Sequence, residues 1–296
     1  MKLKINLLLF SLFVSIISNA QNLKEIDRNF DWNSYKAWEN TTVYSKTYVV
    51  NQKNPNASDN NPGTKASPLL TINKAVEMVK AGERVLIHAG VYREMVLLRN
   101  QGAAPDKMIS IEAAPGEDVI ISGSKELNTK WIREKDYIER GKLETEFGSF
   151  INSRSKTIWH TQLDSSLFEN DYYPFQLPNI QPFEYSMMPW AEGVKNISPF
   201  TMPRGMIFQN GKRMVQLINH GDLPRLPGSY CIAKDGKTIF IHPFDDKNPN
   251  NEFFEVTVNS HLLKPVDVDF GYIQISGITF QHCANGFLRT SYGAVN

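Results

Sequence analysis

The sequence predicts an all-β protein, and three observations carry the prediction. From Arg84 onward, apolar residues fall in short runs rich in β-branched side chains, of which 85–88 and 119–122 are typical. Glycine and proline residues such as Gly90 separate these runs. Only 72–81 has the spacing of a convincing amphipathic helix. A doubly wound sheet is excluded, because it needs a crossover helix after each parallel strand.

Composition narrows the class of protein further. The chain has 296 residues, 41% of them apolar and 21% charged, which is typical of a folded globular protein. Its 32 basic and 31 acidic side chains leave a net charge of +1, so no global field attracts nucleic acid. Two cysteines exclude a disulfide-built scaffold. Whether Cys231 and Cys283 pair is left open.

The first twenty residues predict a secretory signal peptide. Lys2 and Lys4 precede the apolar run 7–17, and small residues up to Ala20 follow it. A membrane-spanning helix needs about 20 apolar residues, so no membrane insertion is expected after the signal is removed. We expect cleavage after Ala20 and a secreted or periplasmic location.

The mature chain begins with a strand, a loop and the helix. The strand is predicted at 47–50, and 51–64 is a polar loop rich in turn-forming residues. Thr71 is the expected N-cap of a helix over 72–81, which Gly82 ends.

Further strands and two hairpin turns follow along the chain. Strands are predicted at 85–88, 95–98, 108–111, 119–122, 157–160, 206–208, 230–232 and 238–241. The pairs Asn210-Gly211 and Asp235-Gly236 predict hairpin turns, since both residues of such pairs readily adopt positive φ angles. Arg213, in the basic pair after the first turn, is expected to be surface charge. A sandwich, a barrel and a β-helix all fit these strands.

Several motifs resemble the N-terminal part of secreted right-handed parallel β-helix proteins that act on polysaccharides. They are SPLLTINKAV at 67–76, AGERVLIHAGVYRE at 81–94, IEAAPG at 111–116, IISGS at 120–124 and, much later, GYIQISGITFQHC at 271–283. The resemblance implies a single-stranded solenoid whose N-terminal end is capped by the helix. A cap is physically required, because a bare end exposes core and unpaired backbone.

The order of elements is similar to glycoside hydrolase family 120, the β-xylosidase type, with family 141 as a second candidate. In family 120 an antiparallel β-sandwich interrupts the β-helix. With the signal peptide predicted at 1–20, the expected parts are a cap and first rungs at 21–125, an inserted antiparallel β-rich domain at 126–262 and a resumed rung at 263–296, a layout similar to that of family 120.

The sequence has no recognisable second cap after the rung at 273–280. We therefore expect the chain to be the N-terminal part of a longer protein and to be inactive alone. The resemblance implies that the catalytic carboxylates lie beyond Asn296, and they are unknown.

Candidate sugar-binding residues lie in long loops rich in aromatic side chains. Tyr172, Tyr173, Tyr185 and Trp190 offer rings that can cover the C–H faces of pyranoses, with packing of the loop as the alternative. The carboxylates that could reach over a groove from the same stretch are Glu184 and Glu192. A second acidic pair, Asp267 and Asp269, has the spacing of two residues on one face of a strand, where a solvated polar face is the simpler interpretation.

No motif predicts a metal or a cofactor. The six histidines lack zinc spacing, and neither GxGxxG nor GxxxxGK[ST] occurs. The leading hypothesis is an exported enzyme that hydrolyses glycosidic bonds of plant-type or microbial glycans, xylan first, with two carboxylates. Its partner is a polysaccharide or oligosaccharide. A polysaccharide lyase acting on uronates, the one case in which calcium is expected, and a non-catalytic glycan-binding or surface β-helix are the alternatives.

Overall fold

Strands make up most of the regular structure in the computed structural model, which describes residues 40–134, 157–169, 171–180 and 202–286. This confirms the predicted all-β class. The strands before residue 165 are β1 Lys46–Val50, β2 Glu83–Ile87, β3 Gly90–Tyr92, β4 Val96–Leu98, β5 Ile109–Ala113, β6 Val119–Ser122, β7 Ser124–Glu126, β8 Ile132–Arg133 and β9 Trp159–Gln162. Those after residue 206 are β10 Ile207–Gln209, β11 Lys212–Arg213, β12 Val215–Gln216, β13 Ser229–Ile232, β14 Thr238–His242, β15 Phe254–Thr257, β16 Leu263–Pro265, β17 Ile273–Ser276 and β18 Ile278–Gln281.

Three sheets are purely parallel. The first has the order β1-β2-β5-β17, the second β18-β6-β3, and the third consists of β16 and β4. The chain visits these sheets in a fixed rotation, since β2, β3 and β4 enter the first, second and third in turn, and β5 and β6 then re-enter the first and second. After a long interruption, β16, β17 and β18 continue the rotation with the third, first and second sheets.

Equivalent positions on successive parallel strands stack to form the core. In the first sheet, Tyr48 pairs with Val85, Val85 with Ile111, and Ile111 with Ile275. In the second sheet, Ile121 lies between Tyr92 and Phe280. The inward residues belong to one apolar cluster, because alternate side chains of a strand point to the same face.

Helix α1, Ile72–Met78, packs its buried Ile72, Ala75 and Val76 against this cluster. The Thr71 hydroxyl accepts from the Lys74 backbone N–H at 3.2 Å, as the predicted N-cap should. The helix ends three residues earlier than predicted. Val79 is already extended, with its side chain in the core, and Gly82 at φ +81 then turns the chain into β2.

Two further sheets occupy the interruption between β6 and β16. One is antiparallel, with the order β11-β10-β15-β7, and the other has the order β12-β13-β14-β9-β8. A second apolar cluster takes residues from both sheets, including Ile207 and Phe254 of the first and Tyr230 and Ile241 of the second. The predicted domain boundaries at 126 and 262 remain predictions.

The second of these sheets is mixed, whereas the sequence predicts antiparallel pairing throughout. β12 runs parallel to β13, Val215 opposite Ser229. The connection contains a 3₁₀ turn at His220–Arg225 and a glycine at positive φ, Gly228. A crossover of this length permits a parallel return, which a tight hairpin does not.

The two predicted hairpin turns have different outcomes. Asn210 and Gly211 have φ of +51 and +76 and join β10 to β11, as predicted. At the second turn Gly236 has positive φ, at +64, but Asp235 does not. The Asp235 carboxylate instead accepts from the backbone N–H groups of Lys237 and Thr238, each at 2.8 Å, and so closes a longer loop.

Candidate functional site

The predicted sugar-binding residues divide into two groups. Glu184, Tyr185, Trp190 and Glu192 lie outside the described residues. Tyr172 and Tyr173 lie in the described segment 171–180, and their sugar-binding role stays a prediction.

The described residues on either side of 181–201 are joined to each other. The Asn179 N–H donates to the Met202 carbonyl at 2.6 Å, and the Arg204 N–H donates to the Leu177 carbonyl at 3.0 Å. Pro178 and Pro203 form an isolated antiparallel bridge. The residues just before position 181 and those just after position 201 are therefore neighbours in space.

A cleft of about 650 Å³ opens beside this place, and we refer to it as the arginine cleft. Its volume falls within the range of about 300–1,000 Å³ that is usual for small-ligand sites. It is lined by Asn179, Met202, Pro203, Arg204, Met206, Arg213, Met214, Val215, Gln216, Cys283, Ala284 and Asn285. It thus lies between the mixed sheet and the residues that follow β18.

The charges of the arginine cleft have one sign. Arg204 and Arg213 line it, and none of its described lining residues is Asp or Glu. The amides of Asn179, Gln216 and Asn285 add neutral donors and acceptors, and Met202 and Met206 add apolar surface. The cleft is therefore suited to an anionic group flanked by hydroxyls and C–H surface.

Arg204 is held in place by its neighbours. Its Nε–H donates to the Pro178 carbonyl at 2.8 Å, and its charge lies near the Tyr172 hydroxyl. The backbone of Gly286 lies so close that a Cβ there would stand 2.3 Å from the guanidinium carbon. These contacts preorganise the guanidinium, which lowers the entropic cost of binding a ligand.

Tyr172 connects Arg204 to the end of the last parallel strand. Its hydroxyl donates to the Ala284 carbonyl and lies near the Arg204 charge. Burial raises the pKa of Tyr172, and the nearby Arg204 charge opposes that shift. The neighbouring Tyr173 ring packs against Phe168, with centroids 5.5 Å apart.

Cys283 lines the cleft as a free, partly buried thiol. Cys283 and Cys231 are both free, and Cys231 is buried in a separate small cluster. The Cys283 Sγ–H donates to the Ser260 carbonyl at 2.8 Å. Burial raises the pKa of the thiol to about 11, against a smaller lowering by the Asn285 backbone N–H.

We expect Cys283 to react with a disulfide reagent at pH 8 at least about tenfold more slowly in the folded protein than in the unfolded protein, because the thiolate is the nucleophile. The measurement is the labelling rate of a Cys231→Ser variant with and without urea. Equal rates in the two states would show that the thiol is not protected.

A polar cluster links the parallel sheets to the inserted sheets. The Arg93 Nη1–H groups contact Glu255 Oε1 at 2.6 Å and Ser124 Oγ at 2.8 Å. The Ser124 hydroxyl donates to the same Glu255 oxygen at 2.8 Å. His282 lies beside them, its Nδ1 3.3 Å from Ser124 Oγ and its ring stacked on Phe208 at 3.7 Å between centroids. Arg93 follows β3, while Glu255 is in β15, 162 residues later.

This cluster contains a serine, a histidine and a carboxylate but is not arranged for nucleophilic catalysis. Ser124 is 1% exposed, and its hydroxyl donates to the Glu255 carboxylate, which is already paired with Arg93, rather than to the histidine. Burial lowers the pKa of His282, with Glu255 opposing and Arg93 adding to the shift, so the ring is neutral near pH 7. The arrangement stabilises the contact between sheets.

Two other clefts contain acidic residues. One, of about 440 Å³, is lined by Asp59, Glu77, Glu94 and Glu169 as well as by lysines and arginines. There Glu94 accepts from the first N–H groups of α1, and Lys125 pairs with Glu169 at 2.6 Å.

Asp267 and Asp269 line the other cleft, of about 710 Å³. The expectation that both lie on a strand is wrong, since β16 ends at Pro265 and Asp269 has φ +63. The Asp267 carboxylate caps the Val268 N–H at 2.8 Å, which favours a turn.

Within the described ranges, no three His, Cys, Asp or Glu side chains are placed to share a metal ion. The same ranges contain no helix that is both long enough and apolar enough to cross a bilayer.

No protein-family model matches the chain. It is 36% identical over 77 residues to the uncharacterized protein YwoF of Bacillus subtilis strain 168, a match that covers 26% of this chain and 16% of YwoF. Its structure is similar to that of XylC in complex with xylose, with a TM-score of 0.62 and 25% identity. That match covers 81% of this chain and 36% of the XylC chain. A structure described as a glycoside hydrolase matches at a TM-score of 0.46 and 14% identity, over 81% of this chain and 51% of that one.

The sequence analysis missed the arginine cleft. It took Arg213 as surface charge, and Arg213 is indeed exposed, but its β11 position also places it on the cleft. The pairing of 177–179 with 202–204 could not be predicted, because neither segment has a strand pattern. The turn at Asn210-Gly211 was the one available signal that Arg213 would be held near a fixed corner.

Proposed function

We propose that this protein is an exported carbohydrate-active enzyme built on a right-handed parallel β-helix with an inserted β domain. We propose further that it hydrolyses glycosidic bonds of xylan-type oligosaccharides by a two-carboxylate mechanism. The observation that carries the proposal is the similarity to XylC, a protein whose structure contains xylose. The match covers 36% of the XylC chain, so the activity of the whole protein is a proposal that the experiment below tests.

The strand order supports the β-helix part of the proposal. A chain that enters three parallel sheets in a repeated rotation, as β2 to β6 do, winds once around a common core for every three strands. In the third sheet, β16 pairs with β4. The interruption therefore takes the place of one connection between consecutive strands, from β6 to β16, and the order in which the chain visits the three sheets is unchanged.

The activity is tested with the purified full-length protein on an aryl β-xyloside and on xylo-oligosaccharides, with an aryl α-glucoside as the control substrate. We expect xylose release from the β-xylosides alone. An unsaturated uronate product from acidic glycans would identify a lyase instead. Binding of xylo-oligosaccharides without any cleavage would identify a glycan-binding protein.

Export is proposed with cleavage after Ala20 and a secreted or periplasmic location. N-terminal sequencing of the protein recovered outside the cytoplasm tests this, and a sequence that begins at Gln21 is the expected result. Recovery of the protein with Met1 still attached would contradict it.

A further inference from the structure

We propose that the arginine cleft binds the carboxylate of a uronic acid unit on an oligosaccharide. This inference deepens the proposed function by naming an acidic sugar as part of the ligand, and it rests on that function for the assignment to glycans. Its starting observation is a cleft of about 650 Å³ with Arg204 and Arg213 among its lining residues and no carboxylate among the described ones.

The arginines suit a planar carboxylate. A guanidinium presents N–H donors in a fork that matches two carboxylate oxygens. The Pro178 carbonyl takes only part of the donor capacity of Arg204, and Gly286 covers it at close range, so its orientation is already fixed. Arg213 is exposed and makes no ion pair with any described carboxylate. Among the described residues, an incoming anion therefore has no carboxylate to displace from either arginine.

The remaining lining suits the rest of a sugar ring. Asn179, Gln216 and Asn285 offer both donors and acceptors, which hydroxyl groups require in equal measure. Met202 and Met206 offer polarizable apolar surface against C–H groups, whereas Met214 is 2% exposed and packs into the second apolar cluster. A bare inorganic anion would leave both kinds of surface unused.

The other two clefts do not have this charge pattern. The 440 Å³ cleft contains four carboxylates, and its Lys74 and Lys125 are already paired with Glu77 and Glu169. The 710 Å³ cleft is lined by Asp267 and Asp269 with Lys264 as its one lysine or arginine among the described residues. An incoming carboxylate would meet negative charges in both of these clefts, whereas the described lining of the arginine cleft contains none.

The test measures binding of two xylo-oligosaccharides of equal length to the purified full-length protein, one carrying a glucuronic acid side group and one neutral. The variant is Arg213→Gln, which changes an exposed side chain, and circular dichroism checks that the variant folds. Arg99→Gln is the matched control, because Arg99 is also exposed but lines the 440 Å³ cleft.

We expect Arg213→Gln to weaken binding of the acidic probe about tenfold, as the loss of one charge-assisted hydrogen bond predicts. Binding of the neutral probe should change less than about twofold, and Arg99→Gln should change neither. The acidic advantage should also shrink as salt is raised, since the cleft opens to solvent.

Three results would overturn the inference: equal loss for both probes, loss in Arg99→Gln but not in Arg213→Gln, or equally tight binding of a sulfated xylo-oligosaccharide. The last would show that the cleft recognises negative charge without the carboxylate shape. The proposed function fails separately, because it predicts xylose release from neutral substrates whether or not the acidic probe is preferred.

Discussion

Replacing Glu255 with alanine should lower the free energy of unfolding by about 3–5 kcal/mol, the cost of removing one partner from a buried ion pair. Glu255 is 5% exposed and accepts from both Arg93 and Ser124. Without it, the Arg93 guanidinium and the Ser124 hydroxyl remain at the contact between the parallel and inserted sheets with their main acceptor gone.

Chemical denaturation of the variant and the parent protein measures this difference. Glu77→Ala is the matched control, since Glu77 pairs with Lys74 at 3.2 Å on an exposed helix surface and should contribute less than about 1 kcal/mol. Equal and small losses for the two variants would show that the Arg93–Glu255 pair does not hold the sheets together. Glu255→Gln, which keeps the shape without the charge, separates the charge from the packing.

Phe175→Ala is expected to cost about 3–5 kcal/mol, because it removes a large side chain from the second core and leaves a cavity. Phe175 is 1% exposed and packs against Phe168 and the backbone of Gly205. A Cβ at Gly205 would stand 2.5 Å from the Phe175 ring, so no larger residue there can fill the space without moving the ring.

The same denaturation measurement tests this prediction, with Phe253→Ala as the control. Phe253 is 42% exposed, and its truncation should change stability by less than about 1 kcal/mol. If Phe175→Ala costs as little stability as Phe253→Ala, segment 171–180 is not part of the cooperative core.

The sequence predicted the parallel strands best, because their β-branched residues alternate in short runs and each run meets an equivalent run in register. Val85 and Ile111 illustrate this, since each lies on a strand that the pattern located, whereas the strand of Ile275 was predicted from the resemblance of 271–283 to a β-helix rung. The end of α1 was misplaced because Val79 fits a helical face and a core-facing extended position equally well, and only tertiary packing decides between them.

The candidate site was predicted much less well than the fold. Loop aromatics such as Tyr172 attract attention in a sequence, but the structure shows the Tyr172 hydroxyl between Arg204 and Ala284. Its partners come from segments far apart along the chain, and backbone contacts without any strand pattern bring them together. Local periodicity contains no information of that kind.

The entry and exit of the interruption meet at one peptide group, and this has a consequence for folding kinetics. The Gly123 carbonyl accepts from the N–H groups of Val258 and Asn259, at 2.7 and 3.1 Å. Closing a flexible loop of about 130 residues costs roughly 4 kcal/mol of chain entropy, and long-range pairing of this kind slows folding. If the inserted sheets form first, their own structure brings β16 to β4, and the later parallel strands pair as if they were neighbours in sequence. The order in which the two parts fold therefore determines how quickly the parallel sheets are completed.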